Sequence, residues 1–210
     1  MARKNVKNVT SKRRSSIPAK ANPSATPPKK AAEAATLAPA IPAAAEKISS
    51  SVDRAAVAAQ IAALRSNDAD VARDAAAALG RLDDASAVEP LIEILSNANG
   101  YFHSVVRAAA ASSLAQLSDA RAFGPLVNAV RDNMAEASAE AVRALAAMGD
   151  PRAVEVLIDI VRNRDGYFLS TVRLAAVAGL KQLGGGRASA ELLKVAKDAS
   201  EDPVIRNAAA

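Results

Sequence analysis

Four of the chain's five large aromatic side chains fall in two copies of one phrase, Gly100-Tyr101-Phe102-His103-Ser104-Val105-Val106-Arg107 and Gly166-Tyr167-Phe168-Leu169-Ser170-Thr171-Val172-Arg173. The stretch from Gly100 to Gly166 is thus one period of a duplicated double unit. The chemistry such rings offer is contact. Tyr and Phe present large, stiff surfaces at low entropic cost, so exposed pairs of them are anchors for a protein partner. The competing role is packing, with Phe102 and Phe168 tucked beneath a lengthened loop and Ser104 and Ser170 capping the helix that follows. Arg107 and Arg173 at the end of the phrase have the chemistry to contact an anion.

Nothing in the chain points to catalysis. His103 is the single histidine and has no second ligand or nucleophile near it in sequence, and the absence of cysteine excludes disulfides, thiolate zinc sites and cysteine nucleophiles. The carboxylates are scattered at helix-capping positions rather than paired. Gly184-Gly185-Gly186 follows a helix and lacks the lysine and hydroxyl successor of a phosphate-binding loop. The expectation is a non-enzyme with no metal and no cofactor.

The formal net charge of +5 is unevenly divided. Residues 1–50 carry ten Lys and Arg against Glu33 and Glu46, a net of +8, while the remainder is acidic by three charges. Arg3, Lys4, Lys7, Lys12, Arg13 and Arg14 form the densest part of this arm, which binds a polyanion such as nucleic acid by counterion release, tethers the chain to an acidic protein, or targets an organelle. The arm has no aromatic residue, which argues against base stacking. It holds six of the ten prolines (Pro18, Pro23, Pro27, Pro28, Pro39, Pro42) and few branched side chains, so it is expected to be disordered, with a semi-stiff Ala/Pro spacer from Ala31 to Ala45. No apolar run reaches the roughly 18 residues of a membrane helix, and no secretory signal is evident, so a cytoplasmic protein is expected.

From about Ser51 the elements that must position the aromatic phrases become legible. Val71, Ala75, Ala78, Leu79 and Leu82 recur as Val106, Ala110, Ser113, Leu114 and Leu117, as Ala137, Ala141, Ala144, Leu145 and Met148, and as Val172, Ala176, Gly179, Leu180 and Leu183. That spacing is one stripe of an α-helix. A second stripe follows each: Val88, Leu91, Ile92 and Leu95; Phe123, Leu126, Val127 and Val130; Val154, Leu157, Ile158 and Val161; Ser189, Leu192, Leu193 and Ala196. Asp84, Asp119 and Asp150 mark the turn inside each pair as N-caps, Pro151 suits a first helical position, and Pro90 and Pro125 delay the start of their helices. Helix pairs repeating at about 31 to 35 residues make a solenoid, in which no unit buries its apolar face alone. The copies that precede the aromatic phrases carry about four extra residues, assigned here to the loop. Val52 to Leu64 reads as a lone helix covering the front of the stack, and Val204 to Ala208 as the opening of a fifth copy.

The second helices alternate in charge. Glu89 and Glu93 correspond to Glu155 and Asp159, whereas Gly124 and Asn128, and Ala190 and Lys194, stand in the other copies. Arg131, Arg162 and Lys197 align one position further round. This is either a patterned partner-binding face or a solvated face with local ion pairs.

Val106-Arg107, Val172-Arg173, Ala78-Leu79-Gly80, Asp150-Pro151-Arg152-Ala153-Val154-Glu155 and Val88-Glu89-Pro90-Leu91 resemble the HEAT-like repeats of the phycobilisome-lyase type over roughly residues 51–210. The resemblance implies an all-α fold, a right-handed α-α superhelix or HEAT-like solenoid, preceded by the disordered basic N-terminal tail of residues 1–50. It also implies that Arg107 and Arg173 tie one repeat to the next by hydrogen bonds rather than hold an anion, and a role among scaffolds, bilin lyases and chromophore-protein chaperones. Ala72 and Ser138 replace the family's arginine, and the Gly184 run replaces its aspartate turn, so those copies are expected to pack less regularly. The function expected is a non-enzymatic scaffold or adaptor. Its protein partner would meet Tyr101, Phe102, Tyr167, Phe168, Arg131, Arg162 and Lys197, with the basic arm as tether.

Overall fold

The computed structural model describes residues 54–210, all-helical with no strand among them. The basic cluster from Arg3 to Arg14, the Ala/Pro spacer and the boundary at residue 50 lie outside the described residues. The elements are α1 (54–63), α2 (Ala69–Leu82), α3 (Val88–Ser96), α4 (Ser104–Leu117), α5 (Phe123–Ala129), α6 (Ala135–Ala147), α7 (Ala153–Arg162), α8 (Ser170–Leu183), α9 (Gly185–Lys197) and α10 (Pro203–Ala209). None of them is long and apolar enough to cross a membrane.

Two layers result. In the first, α2 packs on α4, α4 on α6 and α6 on α8, and α10 continues the row against α8 and α9. The second holds α3, α5, α7 and α9, each of the first three packing against the first-layer helix of the next pair. Alanine makes the first layer possible: Ala76, Ala110, Ala111, Ala141 and Ala176 are wholly buried, and side chains this small let helix backbones come close. At two points even alanine is too large. A Cβ on Gly80 would stand 2.9 Å from the Cα of Ser113, and one on Gly179 would stand 2.8 Å from Leu157 Cδ1.

The turns follow from their residues. Asp84 and Asp119 accept hydrogen bonds from the amides of Ser86 and Arg121, and a short 3-10 turn, Ala85–Ala87 or Ala120–Ala122, precedes the helix proper. Pro90 and Pro125 therefore sit in a first turn, where no amide is needed. Asp150 accepts from the Arg152 amide in the same way, but Pro151 lies in the turn ahead of α7 rather than at its first position. The extra residues before each aromatic phrase are shared between helix and loop: α3 has 9 residues where α5 has 7, and the rest lengthen the segment that follows.

The helical stripes are buried in the middle of the stack and fail at its edges. Val71 and Leu82 are 46% and 38% exposed because no first-layer helix precedes α2 among the described residues. Leu193, aligned with the wholly buried Ile158, is 55% exposed, because α9 has no further second-layer helix over it among the described residues. Ser189 is exposed too, and Ala188 takes the buried position of the stripe. The Gly184 run explains the change of turn: Gly184 and Gly185, at φ 66° and 85°, let α8 pass straight into α9 without the 3-10 step. Ser138 corrects the expectation of looser packing. It is buried, and its Oγ donates to the Val130 carbonyl at 2.6 Å, the place where Arg173 reaches the Val161 carbonyl one unit later.

Candidate functional site

Each aromatic loop is built the same way from the chain outward. Asn97 and Asn163 end α3 and α7 in the left-handed conformation that asparagine tolerates. Their carbonyls accept from the Gly100 and Gly166 amides at 2.8 and 2.9 Å, and their side-chain oxygens accept from the Phe102 and Phe168 amides at 2.8 and 2.7 Å. One asparagine thus closes the loop twice. Within each loop the rings meet edge to face, Tyr101 on Phe102 at 5.2 Å and Tyr167 on Phe168 at 5.1 Å.

The phenylalanines face inward, Phe168 being 8% exposed and Phe102 half-buried. The tyrosines are 57% and 46% exposed, yet both reach back to the preceding unit. Tyr101 donates to Asn67 Oδ1 at 2.5 Å and Tyr167 to the Arg131 carbonyl at 2.7 Å. Ser104 and Ser170 do not cap. The N-caps are His103 and Leu169, without a side-chain bond, and each serine is the first helical residue, its hydroxyl 3.4 Å from Glu136 or Asp202 of the next unit. The asparagine bonds already set the chain's entry into the helix, which moves the cap one residue earlier.

Beside the loops the second-layer helices do not space evenly. α3 packs on α5 and α7 on α9, whereas α5 and α7 make little contact, and grooves of about 380 and 370 Å³ open between α1 and α3 and between α5 and α7. The two grooves are copies. Ile61, Leu64, Pro90 and Ile94 floor the first, and their counterparts one double unit later, Val127, Val130, Val156 and Ile160, floor the second, where Phe168 joins them. Arg65 and Arg131 stand at matching rims. Arg65 turns to Glu93, with Nη2 at 2.9 and 3.1 Å from its two oxygens. Arg131 instead lies over the rings of Tyr167 and Phe168 at 5.2 and 5.4 Å and bonds Asp165 at 3.2 Å. The Tyr167 amide and then Arg131 hold the Asp165 carboxyl below its usual range.

Residues 71–97 match the PBS lyase HEAT-like repeat, and residues 100–171 match HEAT repeats. This chain is a HEAT-like repeat protein. No curated protein sequence matches it. A solved structure, that of human deoxyhypusine hydroxylase in complex with glycerol, is similar at 16% sequence identity over 80% of this chain and 77% of that one, with a TM-score of 0.43.

Between HEAT-like repeats the charged residues of the second layer pair with one another. Glu89 bonds Arg121, and their counterparts in the next double unit, Glu155 and Arg187, repeat the pair. Arg162 forks onto the buried Glu191 through Nε at 2.6 Å and Nη2 at 2.7 Å, and that hydrogen-bonded fork keeps the Glu191 carboxyl low despite burial. Of the three cations that the alignment groups, Arg131 therefore belongs to the second aromatic loop, Arg162 to a pair between α7 and α9, and Lys197 is exposed at the end of α9, in no ion pair among the described residues. His103 is exposed beside Tyr101.

Arg107 and Arg173 tie successive repeats as expected. Arg107 holds Asp132 through two bonds of 2.6 Å, and Arg173 holds Glu201 at 2.6 and 2.9 Å. The partners Asp132 and Glu201, and the loop-closing Asn97 and Asn163, are absent from the sequence reading. The asparagines carried a usable signal, since both stand three residues before the Gly-Tyr-Phe of their copy.

Proposed function

We propose that this HEAT-like repeat protein is a non-enzymatic scaffold or adaptor that binds a partner protein across its second-helix face and aromatic loops. Tyr101, Phe102, Tyr167 and Phe168 shape the surface, Arg131, Arg162 and Lys197 charge it, and the lysine- and arginine-rich first fifty residues act as an electrostatic tether. The observation that carries this is the recurrence, once per double unit, of an aromatic loop and of an apolar groove, with Phe168 in the lining of the second groove. Exposed rings next to a concave apolar floor are the anatomy of a protein-binding hot spot.

The test compares what co-purifies from native extracts with the full chain, the chain lacking residues 1–50, and a Tyr101→Ala/Tyr167→Ala chain whose helicity is checked by circular dichroism. Loss of one and the same protein from the double variant, with helicity unchanged, is the expected result. If only the arm deletion matters, binding resides in the tether, and a steep loss of affinity with salt would assign it to a polyanion. A second reading comes from the repeat matched by residues 71–97, under which the chain handles a bilin-bearing protein. That version requires added bilin to acquire a bound visible spectrum.

A further inference from the structure

The two grooves share a floor and differ at their rims, and the difference selects what enters. Around the first stand Arg65, Glu89 and Glu93, with Arg65 turned onto Glu93 and Glu89 paired to Arg121. Three replacements at the equivalent positions change the second: Asp159 for Glu93, Arg164 for Ala98 and Asp165 for Asn99. Asp159 is one methylene shorter than Glu93 and makes no bond to Arg131. Asp165 and the two rings draw that guanidinium aside, leaving most of its donors uncommitted among the described residues. Arg164 is exposed at the same rim and in no ion pair among the described residues. The result is an apolar trough of about 370 Å³, room for one or two aliphatic side chains, with Arg131, Arg164, Asp159 and Asp165 along its edge and Asp165 taken up by Arg131.

We infer that the groove between α5 and α7 is the specific one of the pair, and that it takes a partner segment in which aliphatic side chains alternate with acidic ones. The apolar side chains lie on Val127, Val156 and Ile160, and the carboxylates meet Arg164 and the free donors of Arg131. The first groove, whose Arg65 is committed to Glu93 and which has Ala98 where the second has Arg164, offers the same segment no free cation. This rests on the partner-binding reading above and names the chemistry of the partner.

The test follows amide shifts of the full isotopically labelled chain during titration with acetyl-Leu-Glu-Leu-Glu-amide, with acetyl-Leu-Lys-Leu-Lys-amide as control. Saturable shifts are expected at residues 127–131 and 156–168 and not at 61–65 or 89–94, with the lysine peptide weaker. Arg164→Ala should weaken the acidic peptide about three- to fivefold, as expected for an exposed charge contact. The triple variant E93D/A98R/N99D should gain a second set of shifts in the first groove. Equal titration of both grooves in the parent chain, equal binding of the lysine peptide, no effect of R164A, no gain in the triple variant, or no shifts at all would each overturn the inference. Capture of a partner in the co-purification experiment alongside such a failure would leave the scaffold reading standing, so the two fail separately.

Discussion

Arg107 and Asp132, with side chains 5% and 10% exposed, show what individual residues do in this protein. Arg107 also donates to the Phe102 carbonyl, so a single guanidinium fixes the first aromatic loop and the turn after α5 together. Removing its partner by Asp132→Ala leaves a buried, unneutralised cation. The expected loss is about 3 kcal/mol in urea unfolding, with most of it recovered in an Arg107→Met/Asp132→Leu chain that removes both charges. Arg107 was legible because it recurs as Arg173 in the same phrase. Asp132 was not, because an aspartate in a loop 25 residues away has nothing in its own neighbourhood to mark it as the other half of a pair. The tyrosines show the same limit: their repetition was visible, whereas their bonds to Asn67 and to the Arg131 carbonyl depend on how the preceding repeat presents its turn.

At the scale of the element, helix periods were readable because each first helix is squeezed between two others, and burial on both sides forces the stripe into the sequence. Where a neighbour is missing the stripe stays written but is not buried, as at Val71, Leu82 and Leu193. Spacing between layers was harder to read. Gly80 looks like a flaw in a good helix, yet it is the point where α2 meets the backbone of α4. Gly80→Ala should therefore lower the thermal midpoint by several degrees, since crowding against Ser113 costs about 1–3 kcal/mol and exceeds the helical gain of up to ~1 kcal/mol. Gly124, in α5 with nothing within 4 Å of an added Cβ, is the control. Gly124→Ala should raise the midpoint slightly, and differential scanning calorimetry on the pair of variants separates crowding from propensity.

Across the whole molecule, the repeats are joined by carboxylates held low by arginine. Burial pushes Asp132 up, and the Arg107 guanidinium and the Met134 amide together overcome it. Hydrogen bonds from Arg162 and Arg173 do the same more easily for Glu191 and Glu201. Because these groups bind protons less readily folded than unfolded, their stabilisation is complete above the ordinary carboxylate range and disappears as pH falls through it toward the folded values. The thermal midpoint should be flat from pH 7 to about 5 and should fall below about pH 4, with a shallower fall in a Glu191→Gln chain. The alternation of touching and parted second-layer helices carries a different consequence. Since the Tyr101 loop, the groove between α1 and α3 and the Glu89–Arg121 pair return as the Tyr167 loop, the groove between α5 and α7 and the Glu155–Arg187 pair, and not in the copy between among the described residues, the unit of growth is the double repeat. A chain extended by such blocks would add one aromatic loop and one groove per block, whereas a lone inserted copy, half a block, would bring parted helices opposite touching ones. Length in this architecture therefore sets the number of grooves in whole steps, like the divisions of a ruler.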